Sequence, residues 1–200
     1  MSSLNASSTQ VQKVVAVVAV INLAYFGVEF AVAQAIDSVS LFADSIDFLE
    51  DAAVNFLVLV ALSWSVRKRT RVAVLLAALL LVPSVLALWA AWQKLNTPLP
   101  PHPLPLSAAG LGALVVNLCC AWLLARVRTH GGSLMRAAYL SARNDAAANV
   151  AIVTAGLLTW AYPSVWPDLV VGLAIFVLNA NAAREVLQVA ARESRAEAQI

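Results

Sequence analysis

Apolar runs at about 13–36, 40–64, 72–93, 107–126, 137–160 and 167–186 divide the chain into blocks separated by short polar stretches. Each is close to the ~20 residues that carry an α-helix across ~30 Å of hydrocarbon. None alternates apolar with polar positions as the strands of a membrane barrel do. The pattern predicts an all-α integral membrane protein, a six-transmembrane-helix bundle. An even number of spans places both termini on one side. Residues 1–10 read as a flexible N-terminus, 11–187 as the transmembrane domain and 188–200 as a short amphipathic tail.

Composition narrows the class. Of 200 residues 62% are hydrophobic and only 12% charged, where a soluble globular protein has about a quarter charged. The mean hydropathy is +0.81. The partner this implies is the lipid bilayer, not nucleic acid. The opening MSSLNASSTQVQK has no small-residue cleavage site behind a short apolar core, so a removable signal peptide is not expected. Lys13, Arg67, Lys68, Arg69, Arg71, Arg126, Arg128, Arg136, Arg184, Arg192 and Arg195 fall on the side of the termini, 11 of the 13 Lys and Arg. Lys94 stands alone opposite, and Arg143 lies within a span. By the positive-inside rule both termini are cytoplasmic. Cys119 and Cys120 are adjacent in an apolar run and read as packing residues.

The departures from apolarity carry the chemistry. Ser38–Asn55 (SVSLFADSIDFLEDAAVN) holds Asp44, Asp47, Glu50 and Asp51 at the head of the second span. One ionised carboxylate at mid-helix costs about 2.5–3.5 kcal/mol on insertion scales, so several in one span point to function. Asp47 and Asp51 stand at i, i+4 and project from one face, one turn apart. Two oxygen ligands on one dry face suit a divalent cation. The plainer alternative is a pair of acids solvated in an interfacial turn or neutralised by a structural partner.

Span 5 repeats the ladder. Ser141, Asp145 and Asn149 match Asp47, Asp51 and Asn55 in spacing, and spans 2 and 5 run antiparallel. Packed together they bring Asp47 level with Asp145 and Asp51 level with Ser141, so four side chains surround one ion near mid-membrane. Asn22 and Glu29 lie seven apart on one face of span 1 and look into the bundle; Asn117 of span 4 is an interhelical hydrogen-bonding group. Span 3 is uncharged, Leu-rich and kinked at Pro83, which suits a lipid-facing or dimer-facing place. The Pro-rich loop KLNTPLPPHPLPL is a stiff connector, and its His102, like His130 beside Gly131–Gly132, reads as solvated. Asp168, behind Pro167, suits the N-terminus of span 6; Asn179 and Asn181 line a polar path or bond across helices. No HExxH and no nucleophile–base pair occurs, so an enzyme is not expected.

From Asn22 to Ser194 the chain resembles the cation diffusion facilitator family of divalent-metal/proton antiporters. The resemblance rests on NLAYFGVE, SVSLFADSIDFLED, AYLSARND and WPDLVVGLAI, all in family order. It implies that Asp47 and Asp51 ligate the metal with Asp145 and Ser141, and that the protein is a homodimer in a membrane, here a bacterial inner membrane. Ser141 stands where zinc-carrying members often have His, so the fourth ligand is open among the Ser141 hydroxyl, Asn144 and a water. Asp44, Asn55, Asn149, Asn22 and Glu29 are accessory candidates. The chain ends about 15 residues past span 6, so the family's cytosolic C-terminal domain is not expected.

Carboxylates crowded in a dry site hold protons when empty, and a divalent cation expels them, which is metal–proton exchange. The resemblance ranks Zn2+ first, with Cd2+ and Co2+. An oxygen-only ligand set leaves a Mn2+/Fe2+-selective transporter open. Two further readings stay open: a non-transporting protein whose acids form a network with Arg143, and an uptake channel.

Overall fold

The computed structural model describes residues 2–61, 85, 86, 88–127 and 132–179. They form helices throughout: α1 (Ser2–Ile36), α2 (Val39–Ala61), α3 (88–96), α4 (Pro103–Val127), α5 (Gly132–Ala161) and α6 (Trp166–Asn179). The sequence features at Pro83, Arg67, Lys68, Arg69, Arg71, Arg128, His130, Gly131, Asn181 and 188–200 lie outside the described residues.

Two helices, Gln10–Ile36 of α1 and Pro103–Val127, are long and apolar enough by themselves to cross a bilayer. α2 carries Asp44, Asp47 and Asn55 inward. Val20, Leu23 and Val28 of α1, Leu111, Val115 and Leu118 of α4, and Val170 and Val177 of α6 are all exposed. Large apolar side chains exposed on several helices suit lipid contact and not water. Trp89, Trp92, Trp160, Tyr162 and Trp166 gather at the α1–α2 turn end of the bundle. At the other end Arg126 lies 3.5 Å above the Trp122 ring. Amphipathic aromatics at two levels mark membrane–water boundaries.

Small residues set the packing. The buried face of α4 runs Leu106, Ala109, Gly110, Ala113, Asn117, Cys120, Ala121 and Leu124, at spacings of three and four. A Cβ on Gly110 would sit 2.8 Å from Ile152 Cγ2, so α4 and α5 touch at a distance only glycine permits. Tyr25 donates to the Ala109 carbonyl at 2.6 Å, fastening α1 to α4. One apolar cluster (Leu41, Phe42, Ile46, Leu106, Ile152, Ile175) lies toward the α1–α2 turn, and a second (Val15, Val18, Cys120, Leu124, Ala142) toward the other end. Cys120 is a packing residue, while Cys119 is exposed.

The α1–α2 turn is built from capping rules. Asp37 takes a left-handed conformation, φ 53°, and the Ser38 amide reaches back to the Ala33 carbonyl at 3.0 Å. That closes α1 with the 6→1 bond of a Schellman motif. Ser38 then caps α2, its Oγ accepting the Leu41 amide at 3.2 Å.

Three helix starts differ from the sequence expectation. α1 begins at Ser2 rather than about 13, within the stretch read as a flexible N-terminus. α4 begins at Pro103 rather than 107, because the first helical amides need no intrahelical partner and prolines fit there. The loop is therefore shorter, with His102 exposed at its end. α5 begins at Gly132, ahead of 137.

Candidate metal centre

α2 packs against α1 and α5, so Asp44, Asp47, Asp51 and Asn55 turn inward along one face. Asp44, Asp47 and Asn55 are buried; Asp51 and Glu50 are partly so. α5 presents Ser141 and Asp145 to them, both half-buried.

Ser141 is the junction. Its Oγ donates to Asp51 Oδ1 at 3.0 Å and lies 3.5 Å from Asp145 Oδ2. The opposite oxygen of Asp51 faces Asn22 Nδ2 at 3.5 Å, and Asn22 Oδ1 accepts from the Cys120 thiol at 3.4 Å. Three helices thus meet at Asp51. A single hydroxyl proton cannot bond both carboxylates fully at once. Charges so close in a dry setting need a cation or protons between them.

Asp47 takes a different partner: its Oδ1 accepts from Asn179 of α6. Among the described residues, no three His, Cys, Asp or Glu side chains converge at metal-ligating distance. Asp51, Ser141 and Asp145 are brought together, and Asp47 is bonded instead to α6. Asn55 bonds back to the Asp51 carbonyl at 2.7 Å. Asn149 donates to Asp44 and accepts from Asn117 at 2.9 Å, so Asn117 does bond across helices. Glu29 is buried and faces α2. Asn144 is exposed on the far side of α5, where its Oδ1 accepts from Arg143 at 3.4 Å. Arg143 is exposed as well, and the described residues place no Lys or Arg in ion-pair contact with the buried acids.

Sequence reasoning missed three placements. Asn179 was flagged without a partner, and the partner is Asp47. Lys94, which in the sequence is only the lone basic residue opposite the termini, has a buried ammonium that bonds the Asp37 carbonyl and, at 3.0 Å, its carboxylate. Asp168 serves the N-terminus of α2 in addition to standing in the first turn of α6. It accepts from Ser38 Oγ (2.7 Å), Val39 N (2.8 Å), Ser40 N (3.1 Å) and Ser40 Oγ (2.6 Å). The SxS that opens α2 was the available signal, since adjacent hydroxyls at a helix start seek an anion.

No curated protein matches the chain in a sequence comparison. Residues 15–193 match the profile of the cation efflux transmembrane domain, which covers the helices, the apolar outer surface and the buried acids alike. The chain belongs to the cation diffusion facilitator family and is an integral membrane transporter of metal cations.

Proposed function

We propose that the protein exchanges a divalent metal ion for protons at Asp47, Asp51 and Asp145, with the Ser141 hydroxyl or a water as fourth ligand. The observation that carries this reading is the Ser141 hydroxyl lying between Asp51 and Asp145 at 3.0 and 3.5 Å. A hydroxyl proton that spans two carboxylates stands where a cation would be better accommodated. Asp47 joins the set by exchanging its Asn179 contact for the ion; a neutral amide is the weaker partner for a carboxylate. Protons and metal compete for the same oxygens, so filling the site with one empties it of the other.

The cargo we assign first is Zn2+, with Cd2+ and Co2+, by the family's habit. Three carboxylates and a fourth oxygen accept Zn2+ tetrahedrally. The absence of His and Cys from this donor set favours a second reading, a Mn2+- or Fe2+-selective transporter on the same site. A purely structural acid network is disfavoured by the exposed Arg143, which is turned to Asn144. The molecule in this reading has six spans, with both termini in the cytoplasm of a bacterial inner membrane, the direction being efflux. It forms a homodimer along the third span, whose described part exposes Val85, Leu86, Leu88, Trp89 and Trp92.

Proteoliposomes test the reading. An imposed pH gradient should drive Zn2+ uptake in the wild type and none in Asp51→Ala. Uptake unaffected by collapsing the gradient would refute exchange and favour a channel.

A further inference from the structure

A second acidic pair lies outside the ligand set. Glu29 of α1 and Asp44 of α2 are both 0% exposed, and they are neighbours across the contact between the two helices. Among the described residues neither oxygen of Glu29 meets a donor, and neither does Asp44 Oδ1. Asp44 Oδ2 is served by Asn149, whose Oδ1 accepts from Asn117 at 2.9 Å. That relay runs one way, amide to amide to carboxylate. It makes Asp44 the acceptor at its end and, among the described residues, leaves Oδ1 without a donor.

Two ionised carboxylates are acceptors only and cannot bond to each other. Left ionised and unpaired, both would be buried at a prohibitive desolvation cost. Among the described residues the neighbouring titratable groups offer no relief: Tyr25 on α1, Asp47 and Asp51 on α2, and Asp145 on α5 are neutral or acidic, and Asn117 of α4 is a neutral amide. A metal ion is also a poor occupant, because Asn149 turns its hydrogens, not its oxygen, toward Asp44. One proton meets the requirement. Carried by Glu29, it donates to Asp44 Oδ1, and the remaining charge rests on the carboxylate that Asn149 already serves.

We propose that Glu29 and Asp44 form a proton-binding pair separate from the metal ligands, loaded in the empty transporter and discharged when the cation arrives. The proposal rests on the exchange reading above. An ion at Asp47, three residues along α2 from Asp44, sets two positive charges beside the pair. Ionised Glu29 is then favoured, and its O–H bond breaks to leave a carboxylate and a proton released to water. Each transport cycle so carries a proton that the ligands themselves do not hold.

The test uses the full chain in lipid nanodiscs with Zn2+ as the probe. Infrared difference spectra on Zn2+ addition should lose the carbonyl stretch of a protonated carboxylic acid, and Glu29→Gln should lack that band. Calorimetry in buffers of different ionisation heat should count about one proton fewer released per Zn2+ in Glu29→Gln than in wild type. Glutamine keeps a donor to Asp44; if that variant fails to fold, Asp44→Asn should also change the band. An unchanged band and an unchanged proton count in either folded variant would overturn the proposal. Failure of the wild type to bind Zn2+ or Mn2+ would instead sink the exchange reading, while the resting-state spectra of wild type and Glu29→Gln would still decide whether the pair holds a proton.

Discussion

Asp168 and Ser40 are 128 residues apart in sequence and doubly bonded: the Asp168 carboxylate accepts both the Ser40 hydroxyl, at 2.6 Å, and the Ser40 amide, at 3.1 Å. The pair joins α6 to the first turn of α2, about one turn before the acids begin. A buried carboxylate with no basic partner among the described residues is here balanced by the positive end of a helix and two hydroxyls.

Replacing that acceptor with an amide places hydrogens against hydrogens. Asp168→Asn should lower unfolding stability by about 1–3 kcal/mol, the worth of hydrogen bonds to a charge. Ser40→Ala, which removes one donor and leaves the others, should cost less. Thermal unfolding in lipid nanodiscs orders the two, and a milder effect in Asp168→Asn would contradict the geometry.

α6 crosses α2 closely at the same joint. A Cβ on Gly172 would lie 2.8 Å from Val39 Cγ1 and 2.9 Å from the Ser40 amide nitrogen. Backbone cannot rotate away, so Gly172→Ala should destabilise by about 1–3 kcal/mol. Gly27 has nothing within 4 Å of the corresponding position, and Gly27→Ala should be neutral or stabilise by up to about 1 kcal/mol through helix propensity. Parallel melts of the two variants measure the contrast.

Alanine at Asp47, Asp51 or Asp145 should reduce metal affinity by tenfold or more on an order-of-magnitude view of losing one charged ligand, and Glu50→Ala should retain it. Because metal displaces protons, wild-type affinity should fall as pH falls. Calorimetry across pH measures both; wild-type affinity in Asp51→Ala would remove the site.

Ser141 tests selectivity. Ser141→His supplies a borderline-soft nitrogen and should shift competition toward Zn2+ over Mn2+. Ser141→Ala should weaken binding less than loss of an acid, since a water replaces a hydroxyl more readily than a carboxylate. Unchanged Zn2+/Mn2+ competition in Ser141→His would place the fourth ligand elsewhere.

The exposed third helix tests assembly. Cysteines at Val85 and Leu88 should cross-link between copies in lipid if the dimer forms there. Cross-links only at other helices would reassign the surface.

Periodicity made the ladders readable. Asp47 and Asp51, like Ser141 and Asp145, stand four apart, and helical geometry puts such pairs on one face wherever the helix lies. Antiparallel order then matched Asp51 with Ser141, now 3.0 Å apart. The apolar runs gave the class for a similar reason, since a bilayer constrains every residue of a span alike. Partner choice among polar groups was beyond reach of spacing. Spacing along the chain names no partner for Asn179, and the packing of α6 brings it to Asp47. Nothing local in sequence pairs Lys94; the left-handed turn at Asp37 aims a carbonyl and a carboxylate at its ammonium. Asp168 stood in the first turn of α6, yet its carboxylate reaches α2, because helix packing brought a second and less satisfied N-terminus within 3 Å. Local pattern determines which face a side chain occupies, whereas the crossing of helices distant in sequence determines which atom it meets.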